Sequence, residues 1–78
     1  MGTIAKLIQR SGMDSKVREW LYDSSTVEKA DDYFSEGKLE FATSALRNAL
    51  YKACDATGCD YQFNYEKLKC VLGNILDL

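Results

Sequence analysis

Residues 39–58 read LEFATSALRNALYKACDATG, and this stretch decides the fold. Leu39, Ala42, Leu46, Ala49, Leu50 and Ala53 recur at helical spacing, so one side of a helix over this stretch is apolar. Ala45 and Ala56 add small side chains that let a neighbouring helix approach closely. Thr57-Gly58 ends the pattern, since glycine takes the left-handed conformation that closes a helix. The pattern predicts a helix over 39–56, the longest of the chain and the centre of an all-α, compact bundle of about five short helices.

Upstream, Gly37 marks the end of a preceding helix, and Ser25 with Glu28 has the spacing of a capping box that opens it. Between them Val27, Ala30 and Phe34 face inward, with Tyr33 flanking. Ser24-Ser25-Thr26 breaks an earlier helix, because these side chains compete for backbone hydrogen bonds. That helix spans roughly 14–22 and carries Val17, Trp20 and Leu21 on one face, Trp20 as core. Either Ser11 and Asp14 form its capping box, or Asp14 caps alone. Thr3 is the expected N-cap of a first helix with Ile4, Leu7 and Ile8 on one face, ended by Ser11-Gly12.

Downstream, Cys59-Asp60-Tyr61-Gln62-Phe63 alternates as a strand would, but no second strand exists to pair with it. An isolated strand leaves its backbone groups unpaired, so the segment is expected as an extended linker. Asn64 then caps a last helix that uses Tyr65, Leu68, Val71, Leu72, Ile75 and Leu76. Gly73 weakens that helix by about 1 kcal/mol relative to alanine.

Seventy-eight residues, 46% hydrophobic and 28% charged, suffice for a single helical domain over 1–78. Proline is absent, which permits uninterrupted helices and disfavours a turn-rich sandwich or barrel. The net charge of −2 is uneven: residues 1–22 carry four bases against two acids, and residues 23–40 two bases against six acids. Phosphate neutralisation dominates nucleic-acid affinity and wants a larger basic excess, so nucleic acid is disfavoured as a partner. No run of about 18 apolar residues occurs, so no membrane span is expected. The segment MGTIAKLIQRSG lacks a signal-peptide core, and its sixth position is Lys6 where a myristoylation signal wants Ser or Thr. A cytoplasmic location is the expectation.

The chain contains no histidine, which removes the commonest general base and the commonest metal ligand. Cys54, Cys59 and Cys70 lack paired CxxC knuckles and supply three thiolates, so zinc would need Asp55 or Asp60 as a fourth ligand. Small buried or half-buried residues at helix ends is the simpler assignment, and neither a metal nor a cofactor is expected. A cysteine nucleophile would need an activating base that the sequence does not provide. No catalytic residue is assigned.

Two surfaces remain as candidates for partner contact. Glu28, Asp31, Asp32 and Glu36 are helical neighbours, so their acidic groups are expected together on the exposed side of the third helix. Such a face is ordinarily just solvated, but it could dock a basic partner or the basic first two helices of a second copy. Tyr61, Phe63 and Tyr65 crowd the linker. Either they lid the open end of the bundle, the arrangement favoured here, or some stay exposed as partner anchors.

The stretch from Ala30 to Leu50, with Tyr33, Gly37, Leu39, Ala42, Leu46 and Ala49, resembles the helix-turn-helix centre of a tetratricopeptide repeat. Its Glu36-Gly37-Lys38-Leu39-Glu40-Phe41-Ala42 turn also resembles the first hairpin of HEPN domains. The resemblance covers 21 of 78 residues and implies a helical scaffold for protein contacts. No second copy follows at the repeat's period, and without histidine Arg47 inherits no nuclease role. The sequence therefore points to a small non-enzymatic protein–protein interaction module, acting as adaptor, inhibitor or regulatory subunit, with a homodimer as one form. The alternative is a nucleic-acid-binding regulator using Lys6, Arg10, Lys16 and Arg18.

Overall fold

The structure is a computed structural model that describes residues 2–78. Five helices follow one another: α1 (Thr3–Gln9), α2 (Ser15–Asp23), α3 (Thr26–Ser35), α4 (Leu39–Thr57) and α5 (Tyr61–Leu72). No strand occurs among the described residues, and the helices close into an all-α bundle of 33 × 22 × 19 Å. The expected central helix is there, one residue longer than its apolar pattern.

α4 is the axis because its buried side chains recur along one stripe. Ala42, Leu46, Ala49, Leu50, Ala53 and Cys54 are all buried on it. α2, α3 and α5 each pack on α4, and α1 lies across α3 and α5. Each outer helix contributes a short apolar set: Ile4 and Ile8 from α1, Val17 and Leu21 from α2, Val27 and Ala30 from α3, Leu68 and Leu72 from α5. Truncating Leu46 or Leu50 to alanine would cost about 2–5 kcal/mol. That is a large share of the roughly 5–15 kcal/mol that holds a domain folded. Trp20, expected in the core, is only half-buried and packs against its edge.

The α3–α4 connection is fixed by backbone chemistry. Gly37 has φ of +78°, the Gly37 amide donates to the Phe34 carbonyl at 3.1 Å, and the Lys38 amide donates to the Tyr33 carbonyl at 2.8 Å. This pairing satisfies two carbonyls that the end of α3 leaves free and turns the chain back in three residues. Gly58, with φ of +73°, closes α4 the same way, with the Cys59 amide donating to the Cys54 carbonyl at 3.2 Å.

Several local expectations are corrected by the structure. Thr3 is the first residue of α1, not its cap, and Gly2 stands in the cap position without a side chain to offer. The missing acceptor comes from 27 residues away: Asp31 Oδ1 accepts from the Ile4 amide at 2.8 Å, and Asp31 Oδ2 accepts from the Ala5 amide at 3.2 Å. Ser25 does precede α3, but its φ is +63° and its hydroxyl caps nothing, so the Ser25–Glu28 box does not form. Asp14 precedes α2 without capping it, and Ser11 instead donates to the Ile8 carbonyl at 2.7 Å and accepts from the Met13 amide at 3.3 Å.

The expected linker is also overturned. Asp60 caps α5, its carboxylate accepting from the Phe63 amide at 2.8 Å, so the helix begins at Tyr61. A pattern that alternates over five residues was too short to separate strand from helix. Asn64, expected as the cap, is fully buried in the first turn. The helix then ends at Leu72, and residues 73–75 continue as a turn, with Leu76 buried just beyond it.

Candidate functional site

α3 was expected to carry four exposed acids. The structure leaves Glu28, Asp32 and Glu36 at the surface and withdraws Asp31, which is half-buried against the start of α1. Glu36 is further engaged by the Lys38 ammonium at 3.1 Å, an exposed pair of small energetic weight. Glu28 and Asp32 share a shallow hollow with Gly2, Thr3, Phe34 and Ser35. The acidic face is therefore two free carboxylates beside a structural one.

Tyr61, Phe63 and Tyr65 lie on α5, where helical geometry divides them. Tyr61 and Tyr65 are one turn apart, half-buried, and stack with ring centroids 5.8 Å apart. The Tyr65 hydroxyl donates to the Leu78 carbonyl at 2.8 Å. Phe63 points elsewhere and is 43% exposed, with the Lys67 ammonium 5.3 Å from its ring centre. Two of the three rings cover the bundle and the third is open to contact.

Sequence reading missed the most exposed rings, which are on α4. Phe41 is 61% and Tyr51 67% exposed, and Leu39 beside Phe41 is 43% exposed. Phe41 touches Tyr33 of α3 at 5.6 Å, and Tyr51 touches Tyr61 of α5 edge-on at 5.8 Å. Ten residues apart, the two rings stand about 15 Å from each other along the helix and about 80° apart around it. A groove of about 450 Å³ runs along the same helix, lined by Leu39, Glu40, Ser44, Arg47, Asn48 and Asp77 among others, and neither ring lines it. Arg47 donates across one wall to the Asp77 carbonyl at 3.3 Å. The signal was present: Phe41 and Tyr51 fall outside the Ala42–Leu46–Ala49–Leu50–Ala53 stripe that had to face inward.

The basic set of the first two helices is uneven. Lys6, Arg10 and Lys16 are exposed, whereas Arg18 is half-buried and donates to the Gln9 carbonyl at 3.0 Å. The cysteines are free: Cys54 buried, Cys59 half-buried, Cys70 exposed. Burial pushes the Cys54 thiol above its ordinary range, and the neighbouring Cys59, Asp14 and Asp60 add to the effect. Among the described residues no group of three or more Cys, Asp or Glu side chains is gathered so as to hold a metal ion. No helix among them is long and apolar enough to cross a membrane.

Compared with protein-family models, with curated proteins and with solved structures, the chain finds no significant match. The arrangement of α4 and its neighbours must be read from its own chemistry.

Proposed function

We propose that this chain is a small non-enzymatic protein–protein interaction module, an adaptor, inhibitor or regulatory subunit of the cytoplasm, whose contact surface is the outward side of α4. The observation that carries this reading is the exposure of Phe41 and Tyr51, 61% and 67%, on the helix that also forms the core. A ring left in water on a rigid helix costs little ordering entropy when a partner covers it, and aromatic anchors of this kind dominate interface energies. The groove along the same helix carries Glu40 and Asp77 together with Arg47, so its charge is mixed. It suits an apolar face of a partner protein edged by both charge signs, and it does not suit a polyanion.

The test compares the wild-type chain with the double variant Phe41→Ser/Tyr51→Ser in crosslinking pull-downs and gel filtration. Both rings lie largely outside the core, so circular dichroism and thermal unfolding should match wild type. The expected result is one protein partner crosslinked to α4 and lost by the variant, a second copy of the chain being one such partner. If every partner and the oligomeric state persist unchanged in the variant, the reading fails.

A further inference from the structure

The turn that ends α4 brings two thiols together. Cys54 is the residue whose carbonyl receives the Cys59 amide at 3.2 Å, across the left-handed Gly58. These are the two positions of such a turn whose side chains commonly touch. The hydrogen bond also limits how far apart the residues stand, because only the short covalent arms from each Cα to the bonded atoms can add to it. The Cα separation cannot exceed about 7 Å on standard bond lengths. Disulfides span roughly 4.4–6.8 Å between Cα atoms.

Both cysteines line one open hollow of about 320 Å³ with Tyr51, Asp55, Gly58 and Tyr61. Cys59 is half-exposed there, while Cys54 is 4% exposed and directs its thiol at the Asp60 carbonyl, 3.9 Å away. Accessibility thus separates the two roles that a thiol pair needs, one sulfur to meet an oxidant and one to follow it. The third cysteine, Cys70, lies on the surface of α5 outside this hollow.

We infer that Cys54 and Cys59 form a redox modification site, in which a hydroperoxide oxidises Cys59 and Cys54 closes an intrachain disulfide. The Cys59 thiolate attacks the peroxide oxygen, the O–O bond breaks, and the sulfur becomes a sulfenic acid as water leaves. The Cys54 sulfur then attacks Cys59, the S–S bond forms, and the S–O bond breaks, its hydroxide leaving as a second water with the Cys54 proton. Two thiols lose two electrons in all, and one hydrogen peroxide becomes two waters. The raised pKa of the Cys54 thiol accords with its acting second, since a buried neutral thiol is a poor first nucleophile.

The test uses the full chain carrying Cys70→Ser, treated with one equivalent of hydrogen peroxide. The expected product is a monomer that has lost two hydrogens and both titratable thiols, with peptide mapping that joins Cys54 to Cys59 and full recovery on reduction. The added Cys54→Ser variant should instead stop at a sulfenic acid on Cys59, trapped by a dimedone-type nucleophile. If peroxide yields only dimers linked through Cys59, only over-oxidised Cys59, or two unreacted thiols, the inference is overturned. A Cys59→Ser variant that folds normally and still loses its Cys54 thiol at the same rate would overturn the assigned order.

Discussion

Gly2 and Asp31 occupy one another's space: a Cβ placed on Gly2 would collide with the Asp31 carboxyl group that caps α1. The glycine is needed here for close approach, since its own φ of −76° is open to any residue. The first prediction follows from this coupling. Asp31→Ala should cost about 1–2 kcal/mol, the value of a lost cap whose charge also complements the helix N-terminus. Gly2→Ala should cost a comparable amount by displacing the same carboxylate. Because both changes remove one interaction, the double variant should be little worse than either alone. Thermal and urea unfolding of the four proteins check this, and full additivity would show that the two residues act separately.

A second prediction concerns Ser25. Its positive φ brings the strain that a Cβ suffers in the left-handed region, and its hydroxyl returns no cap bond for it. Ser25→Gly should therefore raise stability by up to about 1 kcal/mol, against the usual effect of removing a serine ahead of a helix. A fall in the urea midpoint would show that the hydroxyl is engaged after all.

Asn64 supports a third. Its carboxamide oxygen accepts from the Asp14 amide at 2.9 Å, and its nitrogen donates to Asp14 Oδ2 at 3.0 Å and to the Asp60 carbonyl at 2.6 Å. Asn64→Leu removes all three partners from a fully buried site and should cost about 2–4 kcal/mol, since buried groups left unpaired are the expensive outcome. Asn64→Asp places a second carboxyl beside Asp14, so the variant should gain stability as pH falls and one proton is taken up. Chemical denaturation at neutral and mildly acidic pH checks both.

The fourth prediction is a pH dependence. The Tyr22 hydroxyl donates to the Ala5 carbonyl at 2.8 Å. Burial raises its pKa above 10.0, Asp31 raising it further against the opposing pull of Arg18. The folded chain thus holds this proton more tightly than the unfolded chain does. The contribution to stability is complete below about pH 10 and is lost as pH rises through the folded-state value. Tyr22→Phe should lower stability by about 1 kcal/mol at neutral pH. It should also shed the part of the alkaline decline that Tyr22 causes, visible in unfolding curves across that range.

The all-α class, the dominance of α4 and the turn at Gly37 were legible because each rests on a pattern carried within one segment. Ala42 to Ala53 repeat within a single helix, and a glycine in the left-handed region acts on its immediate neighbours. The start of α5 was misread although Asp60 was in plain view, since Asn64 is as good a cap by residue type. What decided between them was burial of Asn64 against Asp14, fifty residues away. Asp31 was misassigned to a solvated face for the same reason: its role depends on where α1 comes to rest. The candidate surface fared likewise. Phe41 and Tyr51 could be seen to miss the apolar stripe, but their prominence over Tyr61 and Tyr65 depends on which helix covers which.

The Asn64–Asp14 link has a consequence beyond its strength. A carboxamide offers a donor and an acceptor side by side, and the backbone amide and carboxylate of Asp14 answer it in one orientation only. Four short amphipathic helices could be stacked in either hand around α4 with similar apolar burial, and apolar burial alone does not choose between mirror-related arrangements. Sliding α5 by a residue, or wrapping α1 and α2 the opposite way, would strand this amide in a dry interior. The bond therefore acts less as glue than as a key, admitting one topology of a bundle whose hydrophobic pattern would tolerate several.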